Sequence, residues 1–310
     1  MSLLVVGTVA FDALETPFGK VDKIVGGAAT YIVLAASYLY KDIDLVSVVG
    51  GDFPTEVLED LQRRGANIEG LQIKKDEKTF FWSGKYHTDM NTRDTIETQL
   101  NVLENFDPII PERSREPEFL LLGNLMPIIQ QKVLNQLTKR PKFIILDTMN
   151  FWMEIALPDL LEALKNVDLL TINDEEARLL SGEYSLVKAA KKILTLGPKN
   201  LVIKKGEHGA LLFSQDEVFF IPALPLAEVF DPTGAGDSFA GGLAGYLAKT
   251  DDISFENLKR ALAYATVMAS FCVEKFGTER TQNLTEQEIN DRIQELVKLG
   301  AYDLSPIVVK

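Results

Sequence analysis

The sequence is poor in the residues on which disulfide-bonded and metal-rich proteins depend. Among its 310 residues it has one cysteine, Cys272, and two histidines, His87 and His208. A single cysteine cannot form an internal disulfide, and two histidines argue against a histidine-rich metal centre. The composition therefore favours a reducing compartment, and we expect a cytoplasmic protein.

Long apolar runs are also missing. No uncharged run reaches the ~18 residues that a membrane-spanning helix needs. The opening, MSLLVVGTVAFDALE, has no basic region and reaches Asp12 too soon for a signal peptide. We therefore expect no membrane partner.

Positive charge is scarce relative to negative charge. There are 32 Lys and Arg against 45 Asp and Glu, which gives a formal net charge of −13. This balance opposes non-specific binding to nucleic acid, so we expect a small-molecule partner. If that molecule is a polyphosphate, backbone amides, a cation or a few basic side chains must offset the protein's charge locally.

The sequence does contain a regular alternation of apolar strands and amphipathic helices. Buried strands are predicted at Leu3–Gly7, Leu45–Val49, Phe119–Gly123, Phe143–Asp147, Asp168–Ile172 and Leu201–Lys204. Helices are predicted at Ala28–Tyr40, Pro54–Arg64, Ile128–Thr138, Pro158–Lys165, Asp174–Leu180, Leu186–Leu196, Ala235–Ala248, Phe255–Lys275 and Glu286–Leu299. Such alternation predicts an α/β fold whose mainly parallel sheet is covered by helices on both faces.

One segment does not follow this rhythm. Residues 79–104 are rich in threonine, aromatic and polar residues with strand propensity. We interpret them, together with residues 8–25, as strands of a small outlying sheet. No linker long enough to separate independent domains is present, so residues 1–310 are predicted to form a single domain.

A dense group of glycines opens one of the later helices. The stretch Phe230–Gly242 reads FDPTGAGDSFAGG. The backbone N–H groups of Gly234, Ala235 and Gly236 can converge at the helix N-terminus, where the helix dipole favours an anion. Asp237 follows at once and could accept a proton from a nearby hydroxyl. The alternative is a glycine-rich turn followed by an acid in the first helical turn, where acids are favoured anyway.

This run closely resembles the C-terminal signature of the ribokinase-like, or PfkB, carbohydrate kinase family. The resemblance extends over most of the chain, through GTVAFD at Gly7–Asp12, GGAATYIVLAA at Gly26–Ala36, NDEE at Asn173–Glu176 and KKGEHGALL at Lys204–Leu212. It implies a ribokinase-like three-layer α/β/α sandwich with a small β lid. It also implies a kinase that uses ATP and Mg²⁺, with Asp237 as the base.

By the same resemblance, the acceptor lies against the first strand and the Gly-Gly turn. Asp12 is expected to accept hydrogen bonds from hydroxyl groups, and Gly26 and Gly27 to let a sugar ring approach the main chain. A solvated loop acid and ordinary turn glycines are the alternatives. Tyr31 is also assigned to the acceptor site. It departs from the family pattern, because many sugar-phosphorylating members carry Asn at this position. It leaves the identity of the substrate open.

The nucleotide is expected at the ends of two later strands. Asn173 and Glu176 offer an amide and a carboxylate to a hydrated Mg²⁺, which binds oxygen ligands and keeps several waters. A helix capping box is the alternative. Lys205, Gly206 and Gly209 are expected beside the nucleotide, with the turn of a hairpin as the alternative.

Other candidates depend on the resemblance alone. Thr266, on a helix with small residues, is expected at the adenine edge, and Gly277 follows that helix on the nucleotide side. Asp231 and Thr233 are candidates for holding a monovalent cation such as K⁺ beside the anion site. Turn bonding is their alternative role.

The sequence thus predicts a small-molecule kinase. The acceptor is interpreted as a primary hydroxyl of a sugar, with a ribonucleoside as the alternative, in which case an aromatic ring could stack on the base. The aromatic candidates are Tyr31, Phe81, Tyr86, Phe151 and Trp152. The rivals from other classes are a non-catalytic binding regulator, which the intact Asp237 disfavours, and a dinucleotide oxidoreductase, whose G-x-G-x-x-G does not follow the first strand. The outlying sheet is also a candidate contact for a homodimer.

Overall fold

The computed structural model describes residues 2–215 and 217–301. Its strands are β1 (Leu3–Val6), β2 (Ala10–Thr16), β3 (Gly19–Gly26), β4 (Ile43–Gly50), β5 (Ala66–Lys74), β6 (Phe81–Tyr86), β7 (Arg93–Gln99), β8 (Phe119–Leu122), β9 (Phe143–Asp147), β10 (Leu169–Asn173), β11 (Asn200–Lys204), β12 (Ala210–Ser214) and β13 (Glu217–Ile221). Its α-helices are α1 (Ala28–Ser37), α2 (Thr55–Arg63), α3 (Pro127–Gln136), α4 (Asn150–Ile155), α5 (Leu157–Leu164), α6 (Asp174–Ser181), α7 (Leu186–Leu194), α8 (Ala235–Thr250), α9 (Phe255–Cys272) and α10 (Glu286–Leu299).

A nine-stranded sheet forms the centre of the fold, in the order β13-β12-β11-β10-β9-β8-β1-β4-β5. Neighbours from β11 to β5 are parallel, and β12 and β13 are antiparallel additions at one edge. Within β1, Leu3 and Val5 belong to one hydrophobic core, whereas Leu4 and Val6 belong to another. Because successive side chains of a strand point to opposite faces, both faces of the sheet are covered.

The two cores correspond to two layers of helices. The core that contains Leu3 includes residues of α1, α2, α8, α9 and α10, and the core that contains Leu4 includes residues of α3 to α7. The result is an α/β/α sandwich around a mainly parallel sheet, which confirms the fold class predicted from the sequence.

The glycines within α8 have a packing reason. A Cβ on Gly241 would lie 2.4 Å from the carbonyl oxygen of Ile32, and one on Gly245 would lie 2.9 Å from the Cα of Ala36. Helix α8 therefore rests directly on the backbone of α1. This contact brings the N-terminus of α8 beside Tyr31, which α1 carries.

Four strands form a separate small sheet, in the order β3-β2-β6-β7. The strands β2 and β3 come from the first of the two segments interpreted as an outlying sheet, and β6 and β7 come from the second. The two hairpins join through the parallel pair of β2 and β6, in which Asp12 lies opposite Trp82. Throughout β7 the side chains are exposed, as suits an edge strand.

Several elements were missed by the sequence analysis. Strand β5 shows no clean alternation of buried and exposed positions, and β13 is mostly exposed, so neither produces a strong periodic signal. Strand β12 and the short helix α4 were also not predicted. The helices that were predicted begin and end within about one turn of the observed ones. Within the described ranges, no helix is both long enough and apolar enough to cross a membrane.

Candidate active site

The carboxyl ends of three adjacent parallel strands bring the site together. Strand β9 ends at Asp147, β10 at Asn173 and β11 at Lys204, while α8 begins after Gly234, its N-cap. Ligands of open α/β sheets bind outside this edge of the sheet. The small sheet adds Asp12, whose pKa responds to the charge of Asp237.

Gly234 forms the turn that leads into α8. Its φ of 76° lies in the left-handed region, which favours glycine. A Cβ there would also lie 2.4 Å from the ring of Tyr31, so the close packing requires glycine as well. The N–H of Ala235 donates to the carbonyl of Pro232 over 3.2 Å and so stabilises the turn. The N–H of Ser238 donates to the carbonyl of Gly234 over 2.7 Å, so within the described part of the chain only the amides of Gly236 and Asp237 in this turn are without a carbonyl partner and can meet an anion.

Tyr31 lies beneath this turn. The residue is 1% exposed, so its ring offers no open face to a base. Its hydroxyl is buried and has no hydrogen-bond partner among the residues that the structure describes. Burial raises the pKa of Tyr31, and the carboxylates of Asp12 and Asp231 raise it further. The phenol therefore stays protonated beside the acidic site.

Asp237 occupies the first turn of α8. The residue is partly exposed, so solvent or a ligand can reach it. Burial and the nearby carboxylate of Asp147 raise the pKa of Asp237 to about 7, against the opposing charges of Lys204 and Arg93. A carboxyl group that titrates near neutral pH can take up a proton and release it again, as a general base must.

Asp12 rests directly on the Gly-Gly turn. A Cβ on Gly26 would lie 1.9 Å from Oδ2 of Asp12, so only glycine leaves room for this carboxylate. Gly27 has a φ of 88°, and a Cβ there would meet the carbonyl oxygen of Thr8 at 2.6 Å. Burial, followed by the charge of Asp231, raises the pKa of Asp12 to about 7. The turn thus holds a second titratable carboxyl group near Asp237.

Asp231 joins two glycine-rich segments. Its Oδ1 accepts a hydrogen bond from the N–H of Thr233, and its Oδ2 accepts one from the N–H of Gly277, each over 2.8 Å. The residue is 0% exposed. Both oxygens of Asp231 therefore accept hydrogen bonds from the backbone. This is the turn-bonding role that was considered for Asp231 and Thr233 as the alternative to binding a cation.

Asn173 and Glu176 form the capping box of α6. Oδ1 of Asn173 accepts from the N–H of Glu176, and Oε2 of Glu176 accepts from the N–H of Asn173, each over 2.8 Å. Burial raises the pKa of Glu176 to about 7. Within residues 2–215 and 217–301, no three acidic, histidine or cysteine side chains are grouped so as to hold a metal ion directly. Any role of this pair in metal binding would therefore run through water or phosphate.

The turn after β11 has the hairpin geometry that was considered for it. The N–H of Lys205 donates to the carbonyl of Gly209 over 2.8 Å, and Gly206 and Gly209 have φ values of 54° and 86°. Lys205 is only partly buried. Further along the chain, Thr266 is 6% exposed within α9, and its hydroxyl has no partner in the described part of the chain.

Two residues of the site escaped the sequence analysis. Lys204 directs its Nζ to both carboxylate oxygens of Asp147, each at 3.4 Å, and the two side chains are 18% and 6% exposed. Lys204 also lies opposite Asn173 in the β10–β11 pairing. The position of each residue, as the last one of a buried parallel strand, is the signal that could have identified it.

The face of the small sheet that carries Asp12 also carries Trp82 and Tyr86. The ring of Trp82 lies over Gly84, where a Cβ would approach it to 2.1 Å. The hydroxyl oxygen of Tyr86 accepts a hydrogen bond from Thr233 over 3.1 Å. Because side chains alternate along a strand, Trp82 and Tyr86 share this face.

Arg93 extends the same face onto β7, opposite Tyr86. Its charge lowers the pKa values of Asp12, Glu176 and Asp237, which come from three different elements.

Among the aromatic candidates outside the small sheet, Phe151 is 46% exposed and Trp152 donates from Nε1 to Asn124. The structure thus adds Trp82 and Arg93 to the residues near the site.

Comparison with known proteins agrees with this geometry. A family profile described as pfkB family carbohydrate kinase matches residues 3–285. A cytidine kinase from Thermococcus kodakarensis is 34% identical over 253 residues, which are 79% of this chain and 88% of that protein. A nucleoside kinase from Methanothermobacter thermautotrophicus is 29% identical over 310 residues, covering 89% of this chain and 91% of that protein.

A solved structure has the same fold. The structure of an E. coli ribokinase II in complex with ATP and Mg²⁺ superposes with a TM-score of 0.78, at 20% sequence identity. The match covers 95% of this chain and 99% of the other. At this level of identity the similarity establishes the fold.

Proposed function

The chain belongs to the pfkB family of carbohydrate kinases, and from this premise we propose that it transfers the γ-phosphate of ATP to a hydroxyl group of a nucleoside. The observation that supports this most strongly is the placement of Asp237. Its carboxyl group, with a pKa raised to about 7, directly follows the glycines that open α8. A proton acceptor and an anion site therefore lie one residue apart.

The proposed reaction is an in-line displacement. Asp237 accepts the proton of the acceptor hydroxyl, whose oxygen forms a bond to the γ-phosphorus while the bond from that phosphorus to the ADP oxygen breaks. The amides at the start of α8 stabilise the negative charge on the transferring group. Asp12, set against Gly26, accepts hydrogen bonds from other hydroxyls of the acceptor and so orients it.

The residues present fit a triphosphate and a hydrated metal. A Cβ on Gly236 would lie 3.0 Å from Nζ of Lys204, so the glycine leaves open space between the first turn of α8 and this cation. Asn173 and Glu176 flank the same edge and would hold Mg²⁺ through water. When bound, Mg²⁺ would neutralise charge on the phosphates.

The sequence alone favoured a sugar as the acceptor, with a nucleoside as the alternative, and the proposal reverses this order. Two relatives that match most of this chain are a cytidine kinase and a nucleoside kinase. Trp82 supports the same choice because it carries an aromatic ring on the face of the small sheet that also carries Asp12, its partner in the β2–β6 pairing. A free pentose remains the second candidate, since Asp12 and the Gly-Gly turn suit any sugar hydroxyl.

The proposal includes the small sheet as a lid. Its inner face carries Asp12, Trp82, Tyr86 and Arg93, and closing it over the site would exclude water that could otherwise accept the phosphoryl group. The lid is part of the single domain predicted for residues 1–310.

A panel of nucleosides and pentoses, each with ATP and Mg²⁺, tests the proposal. We expect ADP release in proportion to a phosphorylated nucleoside, identified by mass spectrometry, and weaker release with free pentoses. If only pentoses are phosphorylated, the acceptor is a free pentose and not a nucleoside. ATP binding without turnover on any acceptor would instead indicate a non-catalytic regulator.

A further inference from the structure

The lysine just before β11 and the lysine that ends it each pair with a buried aspartate, but in different surroundings. Nζ of Lys199 lies 3.1 Å from Oδ1 of Asp168, and its side chain is 73% exposed. Nζ of Lys204 lies 3.4 Å from both oxygens of Asp147, and its side chain is 18% exposed. The first is a surface ion pair, whereas the second is enclosed within the candidate site.

The ammonium of Lys204 faces the first turn of α8. A Cβ on Gly236 would lie 3.0 Å from Nζ. Gly236 is not among the glycines with positive φ, so its backbone conformation does not require glycine. What the missing side chain provides is space beside the ammonium. An anion bound at the N-terminus of α8 would therefore meet both the helix amides and Lys204.

The electrostatic surroundings keep this lysine charged. Burial lowers the pKa of Lys204, but the carboxylates of Asp147, Glu176 and Asp237 outweigh burial and raise it. Its two distances to Asp147, both 3.4 Å, are longer than the about 2.7 to 2.9 Å of a charge-assisted hydrogen bond. Asp147 thus holds the ammonium loosely enough for it to turn to another anion.

We infer that Lys204 is a catalytic residue that contacts the transferring phosphate of the nucleoside triphosphate, and that Asp147 is a positioning residue that holds the ammonium until the nucleotide binds. The inference rests on the proposed phosphoryl transfer at Asp237. No bond to Lys204 forms or breaks. Its charge balances the negative charge on the phosphate oxygens while the acceptor oxygen bonds to phosphorus and the ADP oxygen departs.

Kinetics of single variants provide the first test. Lys204→Met should lower kcat/KM for ATP by about 10²- to 10³-fold, the scale seen when one donor to a transition-state anion is removed, and should leave KM for the acceptor nearly unchanged. Lys204→Arg should recover part of the loss because the charge is kept. Lys199→Met is the matched control, since it removes the surface lysine just before the strand, and should keep wild-type kinetics. Wild-type kcat/KM in Lys204→Met would overturn the inference.

A structural role must be separated from a catalytic one. Removing Lys204 alone leaves the Asp147 carboxylate buried without its cation, which destabilises a fold. The double variant Lys204→Met/Asp147→Asn removes both charges, so it should melt close to the wild type and still lack activity. If the double variant recovers wild-type kcat/KM, Lys204 only neutralises Asp147 and the inference is wrong.

Binding of ATP, measured by titration calorimetry without acceptor, completes the test. Asp147→Asn should bind ATP more tightly than the wild type, because the ammonium no longer has to leave a carboxylate. The gain should shrink when Lys204→Met is also present, since the loss of a negative charge alone would act in either background. A wild type that binds ATP through Lys204 but phosphorylates no acceptor would refute the proposed function and the catalytic role of Lys204, and would support only its contact with the phosphate. If such an inactive wild type and Lys204→Met bind ATP equally, or neither binds it, the inference is overturned.

Discussion

Thr233 donates a hydrogen bond from Oγ1 to the hydroxyl oxygen of Tyr86 over 3.1 Å, which joins the turn before α8 to the small sheet. On the same hairpin, Oδ1 of Asn91 lies 2.7 Å from the position that a Cβ on Gly206 would take. The small sheet therefore contacts both the anion site and the turn expected beside the nucleotide. The proposed lid would therefore respond to both substrates.

Hydrogen exchange tests this closure. We expect ATP to slow exchange chiefly at the tip of the β6–β7 hairpin, around Asn91, and the acceptor to slow it along residues 79–104, because ordering a mobile lid suppresses its local opening. Tyr86→Phe, which removes the hydroxyl that contacts Thr233, should weaken this protection. If neither substrate changes exchange in the segment, the small sheet is a static appendage.

Asp237→Asn keeps the size and hydrogen bonding of the side chain but removes the base. Turnover should fall by roughly 10²- to 10⁴-fold, while ATP binding changes little. Rapid-mix assays of ADP formation and calorimetric titration with ATP measure the two quantities. A variant that retains turnover near the wild-type level would show that another group accepts the proton.

Arg93 should set the pH at which the base begins to work. Its charge lowers the pKa of Asp237, which is about 7 in the folded protein, so Arg93→Met should raise that pKa further. The activity of a general base is lost below its pKa, so the acid limb of the profile of kcat/KM against pH should move to higher pH. Lys85→Met is the control, because Lys85 lies on the other face of β6 and pairs with Glu15. An acid limb that moves equally in both variants would contradict this assignment.

Glu176→Gln separates metal organisation from helix capping. A glutamine can still accept the hydrogen bond from the Asn173 amide, so much of the capping box should survive. If the carboxylate also orders hydrated Mg²⁺, the variant should need a higher Mg²⁺ concentration for half-maximal activity. A lower melting temperature with an unchanged Mg²⁺ titration would show that Glu176 has only the capping role.

Local patterns were enough to predict the centre of the fold and one part of the site. Six strands of the parallel sheet could be predicted from apolar runs such as Phe143–Asp147. Each run is continuous, apolar and bounded by polar residues or glycine. The glycines before Asp237 could be assigned to a helix N-terminus because the helical pattern starts with them. Both signals lie within a few consecutive residues.

The remaining site residues depend on which strands are neighbours. Lys204 and Lys205 are adjacent in sequence, and only the pairing with β10 and the ion pair with Asp147 show that Lys204 is the one turned into the site. Trp82 could not be identified from local sequence either, because its position opposite Asp12 depends on the parallel pairing of two strands that are far apart in the chain. Long-range register of this kind leaves no local periodic signal.

The choice between a nucleoside and a free sugar is best tested at Trp82. Tyr31, a candidate for stacking on a base, is buried beneath Gly234, whereas Trp82 is partly exposed on the face that carries Asp12. If a nucleobase stacks on this ring, Trp82→Ala should weaken nucleoside binding by about 1 to 3 kcal/mol, the range for base stacking on aromatic side chains. Trp82→Phe should keep most of the affinity.

A pentose offers no base to stack, so its binding should change little in either variant of Trp82. Ile96→Ala, at a 65% exposed position of the same small sheet, controls for a general loosening of the lid. Isothermal titration with a nucleoside and with ribose, in the presence of a non-hydrolysable ATP analogue, gives both affinities. Equal losses for the nucleoside and for ribose would mean that Trp82 supports the lid and not the base, and the proposed nucleoside acceptor would then depend on the relatives alone.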